Sequence, residues 1–254
     1  MSLGIIFMGF FVGFLVGLTG VGGAALLTPI LILLGINPTI AVGTDLAYNS
    51  VTKFFGSIGH WRQKTINLQL VKHLSIGSLP GAVIAVFLLR MFENFFHYQE
   101  QLIKMVLGYV LIFVALTTLY KTFYKPKNKL NPIQAKTINE KKYLTISIGL
   151  LFGFLVGLTS VGSGSLFAVA MLLFYNLKPS ELVGTDIAHA FFLVTIAGIL
   201  HAGLGNVDYV LTGNLLVGSI PGVLIGSSLS AKFSPKPLRA VLAVLIFLSG
   251  LKLI

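Results

Sequence analysis

The sequence predicts an all-α integral membrane protein made of two inverted-topology repeats of about five helices each. Three observations lead there. The 254 residues are 56% hydrophobic and 10% charged with a mean hydropathy of +0.94, far more apolar than a soluble domain needs to close a core. The stretch GFLVGLTGVGG at 13–23 recurs as GFLVGLTSVGS at 153–163. Apolar runs fall five to each half, so a second half that continues the chain re-enters the bilayer from the opposite side.

In order, the apolar segments are 3–19, 23–36, 40–60, 68–91 and 103–120, then 143–159, 164–176, 182–203, 209–230 and 238–254. The long ones approach the ~20 residues that cross the hydrocarbon, whereas 23–36 and 164–176 are too short to span easily. Those two read as half-helices or tightly packed short helices. Folded back as re-entrant hairpins they leave 8 full spans; counted separately they make 10 segments. Further matches fix the repeat: Val42-Gly43-Thr44-Asp45 with Val183-Gly184-Thr185-Asp186, His60 with His201, and Gly77-Ser78-Leu79-Pro80-Gly81 with Gly218-Ser219-Ile220-Pro221-Gly222. The chain thus divides into an N-terminal repeat (1–120), a basic linker (121–142) and a C-terminal repeat (143–254).

The linker carries Lys121, Lys125, Lys127, Lys129, Lys136, Lys141 and Lys142. Placing it in the cytoplasm also puts the basic loops 61–73, 176–181 and 231–239 there, leaving only Arg90, Lys104, Lys252 and the intramembrane Lys53 elsewhere among 18 Lys and Arg residues. The positive-inside rule then accounts for the net charge of +11 without a nucleic-acid partner, and both termini face outward from a cytoplasmic (plasma) membrane. The N-terminal run lacks a basic n-region and its motif is repeated in mid-chain, so it is expected to belong to the fold rather than to be a cleaved signal. The absence of cysteine excludes disulfides and thiolate metal sites. No zincin, Walker or serine-elbow motif is present, so neither an ATP-driven pump nor an embedded hydrolase can be read, and no cofactor or metal is expected.

The chemistry centres on the two small-residue breaks, Thr19-Gly20-Val21-Gly22-Gly23 and Thr159-Ser160-Val161-Gly162-Ser163-Gly164-Ser165. Glycine exposes backbone N–H groups, Ser and Thr add hydroxyls, and the helix that follows points its positive end at the same spot. Two such ends facing each other suit one small anion; the alternative is close helix packing through small residues. The candidate substrate-binding residues are therefore Thr19, Gly20, Gly22, Gly23, Asn49, Lys53, Thr159, Ser160, Gly162, Ser163, Gly164 and Ser165. Asp45, Tyr48, Asn49, Thr52, Lys53, Gly56 and His60 fall on one face of the third helix, a stripe too polar for lipid. The second half keeps Asp186, His189 and His201 there but holds Ala190 and Val194 in place of Asn49 and Lys53. Asp45 and Asp186 are candidates for proton or ion coupling, with His60, His189 and His201 as gating candidates. The alternatives are ordinary: Thr44-Asp45 as an N-cap and first turn, Lys53 as a snorkelling lysine, and His60 and His201 as helix-end caps.

At these residues the chain resembles the TauE/SafE sulfite exporter family, also called toluene-sulfonate uptake permeases. The resemblance covers essentially the whole chain and rests on the glycine-rich breaks, the Gly-Thr-Asp stretches and the Gly-Ser-Leu/Ile-Pro-Gly stretches. Where the family tends to have three glycines and then a proline, this chain has Gly22-Gly23-Ala24 with Pro29, and Gly162-Ser163-Gly164 with no proline. The resemblance implies a secondary transporter of a small sulfur-containing anion, sulfite export first and organosulfonate or sulfoacetate transport second. A passive anion channel is the alternative.

Overall fold

The computed structural model describes residues 3–19, 23–96, 99–123, 132–230 and 236–254. These form helices α1 (Leu3–Thr19), α2 (Ala24–Leu33), α3 (Pro38–Arg62), α4 (Leu68–Phe96), α5 (Gln99–Phe123), α6 (Pro132–Ala135), α7 (Lys142–Thr159), α8 (Leu166–Phe174), α9 (Pro179–Gly203), α10 (Tyr209–Ser230) and α11 (Lys236–Leu253). No strand occurs among the described residues. Ten of these helices fall on the ten apolar segments, and the four-residue α6 lies in the linker. By length and composition five are candidate membrane spans: Leu68–Met91, Glu100–Phe123, Lys142–Thr159, Pro179–Gly203 and Tyr209–Gly226. The polar stripe of α3 and the shortness of α1 and α2 keep those helices from that group.

The tightest packing runs between the sequence halves. α1 packs along α10, and its repeat counterpart α7 packs along α4. Glycine makes both seams: a Cβ on Gly13 would lie 2.5 Å from the Ser219 carbonyl oxygen, and one on Gly153 would lie 2.2 Å from that of Ser78. Facing them, a Cβ on Gly218 would meet the Ile6 carbonyl at 1.9 Å, and one on Gly77 the Ile146 carbonyl at 2.0 Å. Backbones approach this closely only where side chains are absent from the seam. One apolar core gathers α1, α2, α10 and α11 with α5; the other gathers α4, α7, α8 and α9. Each core thus contains the first two helices of one half and the fourth of the other, so the repeats at 1–120 and 143–254 interlock.

The Gly-Thr stretches lock the same exchange. α3 ends in a Schellman turn, with the Thr65 N–H on the His60 carbonyl at 3.1 Å and the Lys64 N–H on that of Trp61 at 3.0 Å. α9 ends in its counterpart, with Asn206 on His201 at 2.9 Å and Gly205 on Ala202 at 3.0 Å. The Asn206 carbonyl sits over Gly43, where a Cβ would approach to 2.0 Å, and the Asp208 N–H donates to Thr44 Oγ1 at 3.1 Å. Reciprocally, the Thr65 carbonyl sits over Gly184 and the Asn67 N–H donates to Thr185 Oγ1 at 2.9 Å. The N-cap reading of Thr44-Asp45 is corrected here: the N-cap of α3 is Asn37, whose side chain accepts from Thr39 N, and Asp45 lies two turns inside the helix. Thr44 and Thr185 hold the turns that begin the other half's fourth helix, and the aspartates beside them are left buried.

Candidate functional site

The second break is a built turn. Ser160 ends α7 in the left-handed region at φ 61°, and Gly162 at φ 104° turns the chain again so that the Leu166 N–H reaches the Gly162 carbonyl at 3.1 Å and starts α8. A side chain at 162 would carry both a forbidden φ and a clash with Leu166 at 2.6 Å. Thr159 is committed within the turn: its hydroxyl donates to the Leu155 carbonyl at 2.7 Å and accepts from Val161 N at 3.3 Å. Of the first break, Gly23 is described and buried; Gly20 and Gly22 lie outside the described residues, as does the side chain of Thr19.

Both breaks converge on the polar stripe of α3. A Cβ on Gly23 would lie 3.6 Å from Asn49 Oδ1. Asp45 is fully buried; its Oδ2 is hydrogen-bonded with Thr28 Oγ1 of α2 at 3.0 Å, and its Oδ1 accepts from Asn49 Nδ2 at 2.8 Å. Thr28 Oγ1 in turn lies 2.7 Å from Ser160 Oγ, so a chain of hydroxyls joins α2, α3 and the second break. Two turns along α3, the half-buried Lys53 donates to the Ser163 carbonyl at 3.5 Å. Asn49, read as a substrate ligand, spends its amide on Asp45, including a bond to the Asp45 carbonyl at 2.9 Å.

The second-half residues are placed differently. Asp186 is buried on α9 with Oδ1 lacking a hydrogen bond among the described residues, within electrostatic reach of both Lys53 and Lys121. His189 is buried with Nε2 on Ser78 Oγ at 2.8 Å and its ring 4.4 Å from that of Phe167. His201 donates from Nε2 to the Gly157 carbonyl at 3.0 Å, and His60 closes its helix end through Nδ1 and Thr65 Oγ1 at 2.8 Å. His60 therefore closes a helix end away from the convergence of the breaks, whereas His201 holds the last turn of α7, two residues before the second break.

The structure brings together Gly23, Asp45, Asn49, Lys53, Ser160 and Ser163, and adds Thr28, which sequence reasoning missed. Its signal was a hydroxyl in an otherwise apolar ten-residue helix directly before Pro29.

A family model described as Sulfite exporter TauE/SafE matches residues 5–253. The chain belongs to this family. It is 62% identical over the whole of both chains to a probable membrane transporter protein, YjnA, of Bacillus subtilis (strain 168). It is 29% identical to YdhB of the same organism, covering 96% of this chain and 95% of that one, and 26% identical to the Methanocaldococcus jannaschii protein MJ0441, covering 97% and 93%. Both of those also carry the name probable membrane transporter protein. No solved structure matches. The chain is accordingly a membrane transporter, as the family, the relatives and the apolar helices agree.

Proposed function

We propose that this transporter moves a small sulfur oxyanion, with sulfite exported across the cytoplasmic membrane as the first reading. The anion is held where the two breaks meet α3. The observation that carries this is Lys53: a half-buried cation on α3, which packs against the apolar spans α9 and α10, with a carbonyl at 3.5 Å as its hydrogen-bond partner, beside the Ser/Gly turn that opens α8. A lysine at membrane depth costs ~2.5–3.5 kcal/mol on insertion scales, and the matching position in the other half is the apolar Val194. A counter-charge for an anion accounts for its presence. Asp45, Thr28 and Ser160 supply a proton-bearing hydroxyl chain beside it, which suits coupling to a proton gradient.

In this reading the repeats are inverted, the linker 121–142 is cytoplasmic and both termini face outward. The interlocked packing supports alternating access between two bundles of mixed origin, one built on α1 and α10 and the other on α4 and α7, hinged at α3 and α9.

The test is uptake of labelled sulfite into proteoliposomes with and without an imposed pH gradient, for the parent, Lys53→Met and Lys53→Arg. Gradient-dependent flux in the parent, none in the Met variant and partial flux in the Arg variant are expected, because a guanidinium keeps the charge but is planar and larger. Parent-like flux in the Met variant would remove Lys53 from the site. Flux that ignores the gradient would identify a channel.

A further inference from the structure

A groove of about 270 Å³ opens on the surface between α3, α9 and the start of α4. At its deep end Phe54 of α3 meets Phe191 of α9, with ring centroids 5.6 Å apart. Trp61, Leu68 and Phe192 wall it, and all three are exposed. Ser57, also on the wall, donates its hydroxyl to the Lys53 carbonyl at 2.7 Å, so it brings no free donor to the groove. The end of α3 meets the start of α9, where Asn67 N–H bonds Thr185, so the mouth of the groove lies at 61–68. Phe54 and Trp61 are seven residues apart, about 10 Å along the helix axis.

The mouth is basic. Arg62 lines it, is exposed, and among the described residues has no hydrogen-bond or ion-pair partner for its guanidinium. Lys64 is exposed in the following turn, and Lys72 is exposed one turn along α4 from Leu68. The carboxylates near this end are engaged elsewhere: Glu181 accepts from Asn67 Nδ2 at 2.9 Å, and Glu140, beside the Asn139 that bonds Gln69, accepts from Thr137 N at 2.6 Å.

We propose that this groove seats one anionic phospholipid, with an acyl chain between α3 and α9 and the phosphate on Arg62, flanked by Lys64 and Lys72. The order of groups is the order of bilayer depth: hydrocarbon at Phe54 and Phe192, an amphipathic ring at Trp61, then positive charge where headgroups lie. A free anion has no use for the apolar end. A second copy of the chain docked here about a two-fold axis would bring the same three cations together. The guanidinium suits two phosphate oxygens at once, which a zwitterionic headgroup also offers but with its own cation competing. The proposal needs only that the chain lies in a membrane, and it holds whatever solute is carried. Because the acyl chain touches α3 and α9 together, binding stabilises that pair.

Thermal melting is measured in nanodiscs of phosphatidylcholine alone and of phosphatidylcholine with phosphatidylglycerol. Phosphatidylglycerol is expected to raise the parent midpoint by about 5–10 °C, the shift that a roughly hundredfold excess over Kd gives a protein of this size. Arg62→Gln/Lys72→Gln should lose most of that rise with its midpoint in phosphatidylcholine unchanged, since neither side chain has a partner to lose, and Arg62→Lys/Lys72→Arg should keep most of it. Ser57→Leu, which fills the groove with apolar volume and removes no charge, should lose the rise as well. Lys136→Gln/Lys252→Gln removes two charges elsewhere and should keep it. Glycerol 3-phosphate, a headgroup without a chain, should shift nothing in phosphatidylcholine. No rise in the parent, or an equal rise in the parent and Arg62→Gln/Lys72→Gln, overturns the proposal. A full rise in Ser57→Leu overturns the acyl seat, and a loss of the rise in Lys136→Gln/Lys252→Gln reduces the effect to overall charge. Sulfite flux enters none of these readings, so failure of the proposed substrate leaves the lipid site standing and the reverse.

Discussion

Asp45 offers the sharpest test, because the hydrogens around it can be counted. Three oxygen–oxygen links run in series: Asp45 to Thr28 at 3.0 Å, Thr28 to Ser160 at 2.7 Å, and Ser160 to the Thr159 carbonyl at 2.5 Å. Two hydroxyls carry two protons, so all three links form together only when the third proton sits on Asp45. The other carboxyl oxygen accepts from Asn49. An asparagine reproduces that neutral acid, with its NH₂ donating to Thr28 and its oxygen accepting from Asn49. Asp45→Asn should therefore fold with stability equal to the parent, whereas Asp45→Ala removes the donor to Thr28 and strands one amide hydrogen of Asn49 in a buried setting. At about 1–3 kcal/mol for the stranded Asn49 hydrogen and about 1 kcal/mol for the lost bond to Thr28, with Asn49 keeping its bond to the residue-45 carbonyl, the alanine should cost about 2–4 kcal/mol. Melting of the three proteins in detergent, together with gradient-driven sulfite flux, reads both quantities. The Asn variant should keep its melting midpoint and its sulfite binding but lose flux, since it has no proton to release. A midpoint as low as that of the Ala variant would refute the count, and would mean that Asp45 acts as a charge facing Lys53.

Three further outcomes follow from the same packing. Lys64 occupies the left-handed position at φ 54° that Gly205 fills in the other half at φ 77°, so Lys64→Gly should raise stability by about 1 kcal/mol, measured by thermal melting. Gly43→Ala puts a Cβ 2.0 Å from the Asn206 carbonyl and should lower stability by about 1–3 kcal/mol or more, while Gly213→Ala, with nothing within 4 Å, should be neutral or gain up to about 1 kcal/mol; equal melting of the two would discredit the interlock. Single cysteines at positions 127 and 206 of the cysteine-free chain test topology with an impermeant thiol reagent on intact cells: label at 206 and not at 127 is expected, and the reverse would sink the inverted arrangement.

Periodicity and composition made the helices legible, because each apolar run is bounded by glycine, proline or charge that ends a helix for local reasons. The repeat was equally legible, since both copies kept the glycines that two backbones need in order to touch. Its packing was not. Gly43-Thr44 reads locally as a helix start, and only the arrival of the 204–208 turn from the other half shows what the glycine leaves room for and what the threonine bonds. The same holds at the site. Asp45, Asn49 and Lys53 declare themselves by polarity on an apolar helix, but Thr28 is bound to Asp45 by a contact no sequence spacing encodes.

The two halves share a frame and have diverged in their chemistry. Every pairing that builds the frame is present twice: glycine seam against seam, Thr44 with Asp208 and Thr185 with Asn67, one Schellman turn with another. Of the polar residues at the breaks only the threonine, Thr19 and Thr159, is present twice. Thr28 and Ser160 have no like partner in the other copy, where the matching residues are Ala168 and Gly20, and Lys53 faces Val194 across the correspondence. In the proposed carrier, a frame built from the same pairings twice would let the two bundles exchange roles as the protein opens to either side. Charge placed on one copy alone makes the two conformations unequal in what they hold. Lys53 lies on the second break and the buried Asp45 reaches it through Thr28, so in the proposed transporter the groups suited to an anion and to a proton belong to different parts of one turn. Coupling then needs no distant wire, because Ser160 and Ser163 are three residues apart and any movement of that turn shifts both.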